Sequence, residues 1–80
     1  MNSKLIADDR VIGARIRKFR NLRRLTQTEV ALKLGVTKSQ LSKYENGDHP
    51  MRISQLYQLC GVLDITPLEL FDEKSTRAAC

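Results

Sequence analysis

Nowhere in this chain of 80 residues does an apolar run approach the ~18 residues needed to span a bilayer. The opening Met-Asn-Ser-Lys-Leu-Ile-Ala-Asp-Asp lacks the hydrophobic stretch and cleavage site of a signal peptide, so a cytoplasmic location is expected and a membrane is not. Cysteine is scarce too: Cys60 and Cys80 lack metal-ligand spacing, and the lone His49 cannot complete a site. No metal and no other cofactor is therefore expected. Cys60 falls at an apolar helical position and reads as a reduced core residue, whereas Cys80 ends a polar tail as a free, exposed thiol. Also missing are repeats, low-complexity runs, phosphate-cradling glycine loops and carboxylate pairs of enzymatic kind, which leaves a hydrolase or transferase nothing to act with. The chain is not expected to be an enzyme.

Acidic residues are few where basic ones are many. Residues 1–52 hold twelve Lys/Arg against five Asp/Glu, a net +7, whereas residues 53–80 carry −2, for a total of +5. Such polarity points to one surface for a polyanion and another for something else; a solvated basic surface without a partner is the plainer alternative. Eighty residues make one domain, near the lower limit for a single apolar core, with no room for a second, ligand-sensing one.

What is present is concentrated between Thr26 and Asn46. Thr26 followed three residues later by Glu29 has the form of a capping box, so a helix should begin at Gln27. Val30, Ala31 and Leu34 form its apolar stripe, the small Ala31 sitting where a second helix can approach, and Gly35 stops it in the left-handed conformation. Thr37 and Gln40 repeat the capping spacing, and Leu41 and Tyr44 supply the buried side of a second helix. Lys38, Ser39, Ser42 and Lys43 are left pointing outward. Two helices joined by a short glycine turn make a helix-turn-helix, whose second helix enters the major groove of DNA; basic donors separated by hydroxyls suit base edges and phosphates. An ordinary αα-hairpin of a small bundle is the alternative.

With its flanks, the chain resembles the phage repressor and Cro type of helix-turn-helix domain, the XRE family. The residues carrying the resemblance are Ile12-Gly13-Ala14-Arg15-Ile16-Arg17 with Arg20, Leu25-Thr26-Gln27, Ala31, Leu34-Gly35-Val36-Thr37, Leu41-Ser42-Lys43-Tyr44-Glu45-Asn46-Gly47, Pro50, Leu63-Asp64-Ile65 and Leu68. They cover about residues 11 to 71. The resemblance implies an Arg20–Glu45 ion pair that fixes the first helix against the third, and an Asn46–Gly47 loop lying along a DNA backbone. Relatives often carry lysine or arginine just beyond, where this chain has Asp48 and His49, although Arg52 is near. Taken together, the DNA-contacting set expected is Gln27, Thr37, Lys38, Ser39, Gln40, Ser42, Lys43, Asn46, Gly47 and Arg52, on double-stranded DNA.

The remaining elements follow from periodicity and caps. Residues 1–8 read as a flexible arm that could touch DNA through Lys4, residues 9–72 as the domain, and residues 73–80 as a flexible tail. A first helix is expected from about Asp9 to Arg24, with Asp8 and Asp9 at its positive end and Ile12, Ile16 and Phe19 inward; Arg15, Lys18, Arg23 and Arg24 remain as basic surface. A fourth runs from roughly Arg52 to Leu63 on Ile53, Leu56, Cys60 and Leu63, widened by Leu59 and Val62. Thr66-Pro67-Leu68-Glu69 starts a short fifth helix with Leu68 and Phe71. The fold expected is all-α, five helices, repressor/Cro-like, and the function a homodimeric transcription regulator, a repressor, on an inverted repeat. Apolar surface around Leu59, Val62, Leu70 and Phe71 is the expected dimer interface; it fits equally a protein partner, as in an antitoxin-like interaction module.

Overall fold

A computed structural model describes residues 9–71. The segments expected to form an arm and a tail, with Lys4, Asp8 and Cys80, lie outside the described residues. Five helices follow in order: α1 Asp9–Leu22, α2 Gln27–Leu34, α3 Lys38–Asn46, α4 Ile53–Leu63 and α5 Pro67–Phe71. Their inward faces share one core in which Ile16, Val30, Leu41, Leu59, Leu63 and Leu70 are fully enclosed. None of the helices described is long and apolar enough to cross a membrane.

Helix starts lie where the caps place them. Thr26 Oγ1 accepts from the Glu29 amide at 3.1 Å while Glu29 Oε1 accepts from the Thr26 amide at 2.8 Å, and Thr66 and Glu69 repeat the exchange at 3.2 and 2.8 Å. Thr37 makes only half of such a box. Its oxygen takes the Gln40 amide at 3.0 Å, but the Gln40 side chain turns away to Tyr44.

The first four helices share one closure. α2 closes on Gly35 and α3 on Gly47, both left-handed, with the following amide reaching back five residues: Val36 to Ala31 at 3.0 Å and Asp48 to Lys43 at 2.8 Å. The same closure ends α1 and α4 with side chains in the glycine's place, Arg24 at φ 59° and Asp64 at φ 57°. Leu25 reaches back to Arg20 at 3.1 Å and Ile65 to Cys60 at 3.0 Å. α1 therefore stops two residues before the expected Arg24, because Arg24 itself takes the left-handed turn.

α1 crosses α3 backbone against backbone. A Cβ built on Gly13 would collide with the carbonyl oxygens of Tyr44 and Glu45, so only glycine fits at this crossing. This contact seats the α1 face that carries Arg17 and Arg20 directly over the end of α3.

Two expectations about apolar surface are corrected. Leu59 and Leu70 are fully buried within this chain's own core, since α5 folds back over α4, and so they are not surface residues. Ile53, placed on the inward stripe, is 66% exposed; it is the first residue of α4, and Met51 just before it packs on the core instead. Leu68 is likewise 59% exposed, leaving Leu70 as the residue that α5 buries. Val62 and Phe71 are half-buried at the edge.

Candidate nucleic-acid interface

α3 divides cleanly into two faces. Leu41, Tyr44 and Glu45 are buried, whereas Lys38, Ser39, Gln40, Lys43 and Asn46 are exposed and Ser42 is half-buried between them. The outward side therefore offers two ammonium groups, hydroxyls and two amides, and no carboxylate. At its amino-terminal end, Thr37 is exposed but has its oxygen engaged in the cap. At the other end, Gly47 is half-buried, and a side chain there would meet Arg10 Cγ at 2.5 Å. Arg52 is exposed beyond the loop.

Behind this face sits the Glu45 carboxylate, with none of its side chain exposed. Arg20 grips it in bidentate fashion, Nε donating to Oε2 at 2.6 Å and Nη2 to Oε1 at 3.1 Å, while its Nη1 donates to the Leu25 carbonyl at 2.9 Å. The expected ion pair is thus formed, and it is larger than a pair. Gln27 Nε2 donates to Oε1 at 3.0 Å, and Arg17 Nε approaches the same oxygen at 3.4 Å. Burial alone would raise the Glu45 pKa; the hydrogen bonds from Arg20 and Gln27 and the Arg20 charge outweigh it and hold the carboxyl below its ordinary value. One carboxylate ties α1, the start of α2 and the end of α3 into a single block.

Several residues do what the sequence did not announce. Arg17 also donates through Nη2 to Asn46 Oδ1 at 2.6 Å. Its spacing of three from Arg20 was the available signal, since residues i and i+3 share a helix flank. Arg15 and Arg23, assigned above to free basic surface, are instead bonded to carbonyls: Arg15 to Leu70 at 2.9 Å, Arg23 to Leu63 at 2.7 Å and Asp64 at 2.8 Å. Those partners lie forty or more residues away, and no local pattern marks them. Gln40 Nε2 donates to Tyr44 Oη at 2.9 Å, and Tyr44 in turn donates to Gln55 Oε1 at 3.3 Å, which links the recognition helix to the start of α4. Cys60 is buried as expected, and burial, with the Glu69 charge second, raises its thiol pKa. Among the described residues no cluster of His, Cys, Asp and Glu could hold a metal ion.

A glycine-closed helix pair whose second member shows donors outward and is locked from behind defines a helix-turn-helix domain on the five-helix, lambda repressor-like fold. The family model described as helix-turn-helix, HTH_3, matches residues 16–70. The chain belongs to this family, the XRE or Cro/C1 type, whose members are transcription regulators rather than enzymes. It is 31% identical over 71 residues to the uncharacterised HTH-type transcriptional regulator y4aM of Sinorhizobium fredii (strain NBRC 101917 / NGR234), a match covering 89% of this chain and 50% of that protein. The chain spans about half the length of the curated relatives it matches. Among solved structures it is similar to the restriction-modification controller protein C.AhdI of Aeromonas hydrophila, with a TM-score of 0.74 and 31% identity over 78% of this chain and 94% of that one. It is also similar to SinR, the master regulator for biofilm formation, solved in complex with DNA, with a TM-score of 0.71 and 35% identity over 76% and 98% of the two chains.

Proposed function

We propose that this protein is a sequence-specific double-stranded-DNA-binding transcription regulator that acts as a homodimer on an inverted repeat. The carrying observation is the outward face of α3, where Lys38, Ser39 and Lys43 stand exposed on a helix fixed from behind by Glu45. Lysine donates to guanine O6 and N7 and a serine hydroxyl serves either role, so these residues read bases. Gln27, Asn46 and the Gly47 backbone flank them and hold phosphates, which set register and most of the affinity. SinR, a related domain, was solved on DNA.

One such head reads only a few base pairs, and selectivity requires two, about 34 Å apart on one face of the duplex. The surface suited to pairing is the one α4 and α5 leave open, where Ile53, Tyr57 and Leu68 are exposed beside Phe71. From Ile53 to Leu63 no residue is charged, which suits a two-fold seam in which residues near the axis meet their own copies. Repression is the action proposed, since it requires only that the operator be occupied. Selection of bound duplexes from a random pool, followed by sedimentation of the protein with and without the selected site, tests the whole scheme. A two-fold symmetric, guanine-containing consensus bound by two protomers is expected; a monomer both free and on DNA at micromolar concentration removes the dimer. With about six phosphates neutralised per dimer, affinity should fall on the order of a thousandfold between 50 and 200 mM salt. A flat salt response, with a second protein co-purifying, favours instead a protein-interaction module using the same apolar seam.

A further inference from the structure

Arg17 is unlike the other arginines in and just after α1 that bond within the fold. Arg20 is buried and spent on Glu45 and the Leu25 carbonyl, and Arg15 and Arg23 are held by carbonyls. Arg17 keeps 48% of its side chain exposed, even though it touches Glu45 at 3.4 Å and Asn46 Oδ1 at 2.6 Å. Two guanidinium groups share one carboxylate, so the cluster retains one uncompensated positive charge, at its solvent edge. The polarity of the neighbouring amides agrees with that charge. Asn46 Oδ1 is taken by Arg17, which leaves its NH2 as the group to offer outward; Gln27 gives one N–H to Glu45 and keeps the other. The one strong acceptor, the Glu45 carboxylate, is sealed behind them. Arg17 and Gln27 donate to the same oxygen, Glu45 Oε1, so their free donors lie close enough to serve one phosphate group.

We propose that Arg17 is itself a phosphate-contacting residue, closing with Gln27 and Asn46 a single clamp on the DNA backbone beside the recognition helix. This deepens, and rests on, the DNA-binding reading. In the free protein Asn46 and Glu45 hold the guanidinium in place, so that on binding it needs to shift its remaining donors only slightly toward the phosphate. The contact is made to the backbone and carries no base information.

The test uses the full chain and its selected operator, with dissociation constants measured from 50 to 300 mM potassium chloride for the wild type, Arg17→Ala and Arg17→Lys, alongside thermal melts of each. Loss of one phosphate contact per protomer should lower the magnitude of the salt slope by about 1.8 for the dimer, at about 0.9 per phosphate. Arg17→Ala should also weaken every operator variant by the same factor, leaving their ranking intact. Arg17→Lys, which keeps the charge, should keep the slope. A purely structural Arg17 would lower the melting temperature and leave the salt lines parallel, and parallel lines overturn the proposal. Should Arg17→Ala fail to fold, Arg17→Gln, which can still donate to Asn46, carries the same comparison. If the wild type selects no duplex at all, the DNA-binding reading has failed before any variant is made; if it binds and only the slopes coincide, the clamp alone has failed.

Discussion

Glu45 is the residue on which most of the site depends, and its acidity makes that dependence measurable. Its folded pKa lies below the ordinary value, so a proton binds the unfolded chain more readily and acid favours unfolding. The stability it contributes is fully present above the unfolded pKa of about 4.3 and is lost as pH falls through the lower, folded value. Melts of the wild type and Glu45→Gln from pH 3 to 7 should therefore differ most near neutrality and converge at the acid end; a constant gap would contradict this. Removing Arg20 instead leaves a buried carboxylate short of its best partner, and Arg20→Ala should cost about 3 kcal/mol in chemical denaturation. On the opposite face of the same helix the effects should fall on binding and not on folding. Lys38→Ala or Lys43→Ala should each lose about 1–3 kcal/mol of affinity and relax preference at one base position, with melting unchanged. A folded double variant that keeps the parent's ranking of base-substituted operators would show that sequence is read elsewhere, by Ser39 or Gln40.

Among the elements, those announced by chemistry local to the chain were legible before the structure. Thr26 with Glu29, Thr37 with Gln40, Thr66 with Pro67 and Glu69, and Gly35 each act within one turn, and α2, α3 and α5 begin or end where they imply. The end of α1 was not legible, because nothing in Arg23-Arg24-Leu25 distinguishes a left-handed residue from one more helical turn. The burial of Leu59 and Leu70 was hidden for a different reason: apolar periodicity says that a face is covered, not whether the cover comes from this chain or from another copy. In the site, Lys38, Ser39 and Lys43 could be placed from helical spacing alone, whereas the carbonyl partners of Arg15 and Arg23 depend on tertiary packing across the whole fold. The left-handed closures also give a prediction at this scale. Arg24 is exposed and pays the steric cost of positive φ, so Arg24→Gly should stabilise the protein by about 0.5–1 kcal/mol, the cost relieved less the extra chain entropy of glycine. Calorimetry should show a melting temperature higher by about 4 °C; a fall would mean that the Arg24 side chain contributes an interaction larger than its strain.

At the scale of the molecule, the cations are confined to one part of the chain. Among the described residues every lysine and arginine falls between Arg10 and Arg52, while from Ile53 to Phe71 the charged residues are Asp64 and Glu69. A groove lined by Ile53, Leu56, Tyr57, Pro67 and Phe71 opens on that second side, and Tyr57 is 63% exposed at its rim. Tyr57→Glu, which would set like charges against one another across the proposed two-fold seam, should shift sedimentation to the monomer and weaken operator binding while leaving the circular dichroism melt of the protomer nearly intact. Unchanged dimerisation would place the seam elsewhere. The division of α3 into a buried half and an open half has a further consequence, for engineering. Leu41, Tyr44 and Glu45 hold the helix at its angle, whereas Lys38, Ser39 and Lys43 are exposed, so those three positions can be rewritten as a set. A library randomised at these positions with proline left out should yield mostly folded proteins and new operators in some, because the core of the scaffold does not depend on the letters it displays.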